Sequence, residues 1–160
     1  MWEIRSDDLS ADATRALVAE HLSEMLGQSP PESVHALGVA ALSAPDIRFV
    51  TAWRAGELGG MGAYRRMGEH DGELKSMRTT TAARGRGLGR LLLQHLIAMA
   101  RAEGITTLWL ETGAGEPFAA ARGLYASEGF ESCGPFGDYR HDPESVFFRR
   151  DITQAHAGPA

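Results

Sequence analysis

The sequence predicts an α/β protein of the α+β kind, a sheet with helices packed against it, and three observations carry that expectation. Strand-like and helix-like segments follow one another in the order β, α, α, β, β, β, α, β, α, β, β. Two of the strands, 47–53 and 58–66, meet at Ala55-Gly56-Glu57, a spacing suited to a hairpin. A further strand, Glu73 to Thr79, runs into a glycine-rich turn that opens directly into an amphipathic helix.

In chain order, Trp2-Glu-Ile4-Arg alternates and reads as an opening strand. A helix follows from about Ser10 to Met25, with Leu9, Ala13, Ala16, Leu17, Glu20 and Leu22 near helical spacing. Pro30 and Pro31 break it, and Glu32 or Ser33 caps a second helix, Val34 to Leu42. After the hairpin, whose second strand carries Gly59, Gly60 and Gly62 as signs of a bulge or a close backbone approach, Gly68–Gly72 forms a turn into the strand 73–79. The long helix, Leu88 to about Ala102, presents Leu88, Leu91, Leu92, His95, Leu96, Met99 and Ala100 as one stripe and stops at Gly104. Strand 107–112, a flexible Gly113–Pro117, a helix from about Phe118 to Glu128 and a last strand 145–150 follow. One domain, 1–152, and a flexible tail, 153–160, are expected.

The turn Arg84-Gly85-Arg86-Gly87-Leu88-Gly89-Arg90 sets three arginines at a helix start, where the macrodipole already disfavours cations. An anion there removes the conflict. Free N–H groups of the first helical turn, glycines that permit close approach and flanking guanidinium groups together make a phosphate site. A P-loop is excluded because no Gly-Lys-Ser/Thr follows. A dinucleotide fingerprint is a nearer competitor, since strand 107–111 ends in Glu111, but its third glycine falls on Arg90 or Leu92.

Arg84-Gly-Arg-Gly87-Leu-Gly89 resembles the Arg/Gln-x-x-Gly-x-Gly/Ala signature of the GCN5-related N-acetyltransferases (GNAT), and Ala121-Arg-Gly-Leu124-Tyr125-Ala-Ser-Glu-Gly129-Phe130 is similar to that family's Ala-x-x-Leu-Tyr-x-x-x-Gly-Phe segment. The match covers roughly Glu73 to Phe130. The resemblance implies the GNAT acyl-CoA N-acyltransferase fold, a mixed, strongly twisted central sheet flanked by helices, with acetyl-CoA as cosubstrate. It implies that the turn, Arg84 to Arg90, holds the pyrophosphate, and that Met77, Arg78 and Thr79 line the pantetheine arm, Met77 and Thr79 through backbone groups. Splayed strands leave such groups free. Many members carry an asparagine where this chain has Phe118, which is expected to pack on the pantetheine instead.

The same resemblance makes Tyr125 the group that protonates or hydrogen-bonds the departing sulfur, and a phenol has a suitable acidity for that. The Met77 N–H is the candidate for polarising the acetyl oxygen. Glu73, four residues earlier on the strand and on the same face, about 13 Å away by the rise per residue, is the candidate general base. The acceptor is expected to be a primary amine of a small or amino-acid-like molecule, oriented by residues among Glu32, His35, Asp138, Tyr139 and Arg140. A catalytically silent acyl-CoA-binding module and a protein or peptide N-acetyltransferase stay open as alternatives.

Composition narrows the partners. A net charge of −5 gives no basic footprint for nucleic acid or acidic membranes and leans towards cationic amines. One cysteine, Cys133, allows no internal disulfide, the six histidines lack ligand spacing so no metal is expected, and no apolar run reaches membrane-span length. A cytoplasmic protein is expected, with a homodimer as the candidate assembly.

Overall fold

The computed structural model describes residues 1–153. Seven strands form one sheet: β1 (Glu3–Ser6), β2 (Ile47–Arg54), β3 (Glu57–Arg66), β4 (Asp71–Thr79), β5 (Thr107–Gly113), β6 (Glu131–Cys133) and β7 (Ser145–Asp151), in the order β1-β2-β3-β4-β5-β7-β6. Every neighbouring pair is antiparallel except β4 and β5, which are parallel. A parallel pair needs a crossover. That crossover is α3 (Leu88–Ala102), so the glycine-rich turn lies where β4 leaves the sheet. The mixed sheet with helices on both faces is the predicted fold class.

One face carries α3 and α4 (Ala119–Ser127), the other α1 (Asp12–Gln28) and α2 (Val39–Leu42). Helix α3 buries Leu88, Leu92, Leu93, Leu96, Ile97 and Ala100 on the sheet, while Leu91 of the expected stripe is 45% exposed. In α1 the buried residues are Thr14, Leu17, Val18 and His21, an i, i+3, i+4, i+7 set rotated from the one the sequence suggested. The second helix shrinks to α2. Pro31–Ser33 forms a 3-10 turn, the Ser33 hydroxyl donates to Asp142 at 2.6 Å, and residues 34–38 run on without regular structure.

The hairpin turns at Ala55 (φ 52°) and Gly56 (φ 78°), two consecutive left-handed residues as a two-residue loop demands. Gly62 answers to both expectations for the β3 glycines. A Cβ there would lie 2.6 Å from the Met77 sulfur and 2.8 Å from Leu96, and the register jumps across it, with Met61 opposite Arg78 but Ala63 opposite Lys75. Ser76 and Met77 thus stand across from the single residue Gly62 without a register partner of their own, a β-bulge in β4 with Ser76 at φ 59°. Beyond Thr153, the expected tail lies outside the described residues.

Candidate functional site

The site follows from where β4 and β5 stop pairing. Their ladder holds at Asp71↔Thr107, Gly72↔Leu108 and Glu73↔Trp109 and ends there, although both strands run on. Residues 74–79 and 110–113 then face each other across a cleft of about 660 Å³. Ser76 and Met77, displaced by the bulge, are paired in register with neither neighbouring strand. Backbone groups left outside both ladders need other partners.

At one end of this cleft stands the N-terminus of α3. Its cap residue, Gly87, sits at φ 80° with no side-chain cap, so the N–H groups of Leu88, Gly89 and Arg90 are left for a ligand. Gly85, at φ 76°, makes the other left-handed step of the turn. Arg84, Gly85, Gly87, Gly89 and Arg90 line the cleft; Arg86 is exposed and the Leu88 side chain is core. Two of the cleft's arginines already have acidic partners. Arg90 donates to Glu128 (2.7 Å) and Ser127 (2.9 Å), tying α3 to α4, and the nearly buried Arg78 donates to Glu20 (2.9 Å) and Glu24 (2.6 Å), tying β4 to α1. The Arg78 side chain is therefore committed to holding β4 against α1.

Along the cleft, Phe118 packs so closely on Gly113 that a Cβ there would sit 2.1 Å from its ring, and Arg122 donates to the Gly113 and Gly115 carbonyls at 2.8 Å each. The loop 113–118 is thereby a fixed apolar wall. Tyr125, in α4, lies against Phe130 and Phe148 and lines the cleft, and among the described residues no group hydrogen-bonds to its hydroxyl. Burial, with the Glu111 carboxyl adding to it, pushes its pKa well above the ordinary phenol value. The hydroxyl stays protonated as a donor.

Glu73 and Met77 do not share a face. Strand alternation without interruption predicts that they do, but the bulge at Ser76 inverts it: the Met77 side chain joins Leu74 and Leu96 on the α3 side, whereas Glu73 lies on the opposite face. Glu73 is 1% exposed, and both its oxygens are engaged. Arg65 donates to one at 2.8 Å; Lys75 (3.1 Å) and the Tyr139 hydroxyl donate to the other. Tyr139 also accepts from Lys75 at 3.1 Å and meets the His35 ring edge-on at 4.8 Å.

Glu111 is the residue sequence reasoning passed over. It extends the face that carries Trp109, and Trp109 is the register partner of Glu73, so the two glutamates flank the start of the splay on one side of the sheet. Ser145 donates to one Glu111 oxygen at 2.7 Å, and burial holds its carboxyl above the usual carboxylate range. Its place at a strand end was visible; its pairing with Glu73 depends on a non-local register. His21, lining the cleft from α1, is likewise new: burial first and Arg78 second push it down to about 4, and its Nδ1 has no partner.

Comparison with known proteins agrees with this geometry. The model of the acetyltransferase (GNAT) family matches residues 10–130. The chain is 46% identical over 159 residues to the uncharacterised N-acetyltransferase YedL of Escherichia coli, covering 99% of this chain and 100% of that one. It is 45% identical over 149 residues to the uncharacterised N-acetyltransferase YsnE of Bacillus subtilis, covering 93% and 99%. Among solved structures, a Klebsiella pneumoniae chain assigned as an acyl-CoA N-acyltransferase superposes with a TM-score of 0.78 at 28% identity, over 95% of this chain and 98% of that one. The PaiA N-acetyltransferase of Thermoplasma acidophilum, solved in complex with coenzyme A, shares the fold at a TM-score of 0.68 and 14% identity, over 94% and 99%. The chain belongs to the GNAT family and is an N-acetyltransferase. No helix of the described residues is long and apolar enough to cross a membrane.

Proposed function

We propose that the protein transfers the acetyl group of acetyl-CoA directly to the primary amine of a small, amino-acid-like molecule, with both substrates bound together. The observation that carries this is the splay: β4 and β5 part beside a bulge and end at an uncapped helix N-terminus, so one cleft offers phosphate donors at one end and unpaired strand backbone along its length. The diphosphate takes the N–H groups of residues 88–90 with Arg84 beside them, and the pantetheine runs along 76–79 against Phe118. A family neighbour solved with coenzyme A supports that use of the fold.

The transfer needs three proton and charge events. The acceptor ammonium first loses a proton to a carboxylate at the splay. Both Glu73 oxygens are held by Arg65, Lys75 and Tyr139, while Glu111 has a free oxygen and a raised pKa, which favours Glu111 as acceptor of the proton and Glu73 as the group that orders its surroundings. The neutral nitrogen then attacks the thioester carbon, forming the C–N bond while the carbonyl oxygen becomes an oxyanion stabilised by the Met77 N–H. Collapse breaks the C–S bond, the nitrogen gives up its second proton to the leaving thiolate to yield the amide and the free thiol, and Tyr125 donates a hydrogen bond to that sulfur as it leaves. Its raised pKa makes hydrogen-bond donation the larger part of that role.

Assay of free-thiol release and acetylated product over parallel panels of metabolite amines and of peptides tests the reading. Acetylation of small amines with one thiol per product is expected. Turnover confined to peptides would move the acceptor to proteins, and tight acetyl-CoA binding without turnover of any amine would leave a silent binding module.

A further inference from the structure

Helix α1 changes character at His21. Its sheet-facing stripe runs through Leu17 and Val18, which belong to the core cluster of Phe49 and Met61, and continues from His21 at the helical spacing to Glu24, Met25 and Gln28, all four of which line the cleft. The last two turns of α1 are thus a wall of the cleft. Arg78 shows where along it His21 stands, because its ion pairs go to Glu20 and Glu24, the residues just before His21 and one turn after it. His21 therefore lies beside the stretch 76–79 of β4.

Polar groups without partners collect at this place. Among the described residues, the buried side-chain atoms that lack a hydrogen bond are His21 Nδ1, Ser76 Oγ, Arg78 Nε and Arg65 Nε, and the first three belong to residues that line the cleft. His21 is 9% exposed, and neither of its ring nitrogens is hydrogen-bonded to the described residues. Native folds seldom leave such groups unpaired. Burial, with Arg78 adding to it, keeps the imidazole neutral, and a neutral imidazole offers one donor and one acceptor. That suits an amide or a hydroxyl, and it suits neither a diphosphate nor an ammonium.

We infer that His21 is a cosubstrate-binding residue, whose imidazole hydrogen-bonds an amide or hydroxyl of the pantetheine arm from the α1 side while the backbone of 76–79 holds the arm from the strand side. This rests on the cofactor path given above. The arm is the uncharged part of acetyl-CoA and carries both kinds of group, so it matches the neutral histidine where the diphosphate end does not.

Calorimetry with acetyl-CoA alone, and displacement of acetyl-CoA by ADP, which has the diphosphate and lacks the arm, separate the two ends of the cleft. His21→Leu is expected to weaken acetyl-CoA by about three- to tenfold, the effect of losing one neutral hydrogen bond, and to leave ADP within about twofold of wild type. His21→Gln keeps a neutral donor and acceptor and is expected to restore most of the affinity. Thermal melts at pH 7 report that each variant is folded, and His21→Phe replaces the leucine variant should that one not fold. A folded apolar variant that binds acetyl-CoA as the wild type does overturns the proposal, and so does a loss that ADP shares in full. Neither result touches the transferase reading, which is judged by turnover of amines. If ADP does not displace acetyl-CoA from the wild-type protein, the cofactor path falls and this proposal with it.

Discussion

Replacing Gly87 separates the phosphate site from mere helix geometry, because the same helix carries its own control. Gly87 caps the N-terminus of α3 at φ 80°, and Gly104 follows its C-terminus at φ 84°; at both a Cβ would meet nothing within 4 Å. Space is therefore equal, and so is the backbone strain, about 1–2 kcal/mol for a side chain in the left-handed region. For a domain of this size each kcal/mol moves Tm by about 2–4 °C, so Gly87→Glu and Gly104→Glu should both melt a few degrees low. A carboxylate at a helix N-terminus returns about 0.5 kcal/mol in the first variant, and a carboxylate at the C-terminus costs a similar amount in the second.

Binding is where the two should part. In Gly87→Glu the new carboxylate stands at the helix end proposed for the diphosphate. At an effective dielectric constant of about 20, like charges some 5–6 Å apart repel by about 3 kcal/mol. Even half of that is a tenfold loss. Calorimetry with acetyl-CoA at matched salt should show at least a tenfold weaker Kd for Gly87→Glu and a Kd within about twofold of wild type for Gly104→Glu. A folded Gly87→Glu protein that binds as Gly104→Glu does would refute the phosphate assignment.

Three further outcomes are expected. Tyr125→Phe removes only the hydroxyl, so kcat should fall by about 10² or more at nearly unchanged acetyl-CoA affinity; a fall under threefold with chemistry rate-limiting reduces Tyr125 to packing. Glu111→Gln should lower kcat/KM for the amine at pH 7 by about 10² and recover part of it at higher pH as free amine appears, whereas Glu73→Gln, whose oxygens serve the Arg65–Lys75–Tyr139 cluster, should change KM and the wild-type pH profile less; the opposite ranking returns the base role to Glu73. His21 is held neutral in the fold, with its pKa lowered from 6.5 to about 4, so the unfolded chain takes up a proton first and stability should drop by up to about 3 kcal/mol as pH falls through that window. Denaturant melts of wild type and His21→Gln at pH 7 and 4.5 check this, the variant showing the flatter dependence.

How much of this was legible in the chain depended on the range of the interactions. The helix after the turn, the hairpin and the strand order rest on local periodicity and local turn chemistry, and they stand as expected at Ala55-Gly56 and Leu88–Ala102. Val34–Gly38 departs because Ser33 is drawn to Asp142, more than a hundred residues away, a contact that no window of sequence contains. The expectation that Glu73 and Met77 share a face failed at one residue. A single left-handed serine inverted the alternation and moved Glu73 off the face of Met77, and the glycine opposite, Gly62, was the visible trace of that bulge. Glu111 was visible as a strand-end acid, yet its place beside Glu73 needs the β4–β5 register.

Direct transfer between two bound substrates is the central claim, and two-substrate initial-rate kinetics tests it most directly. With acetyl-CoA and the amine both varied, double-reciprocal plots should intersect, and protein mixed with acetyl-CoA alone should keep its mass. Parallel lines together with a stoichiometric acetyl adduct on the enzyme would contradict it, because the acetyl group would then pass through a protein nucleophile instead of moving straight from the thioester to the amine.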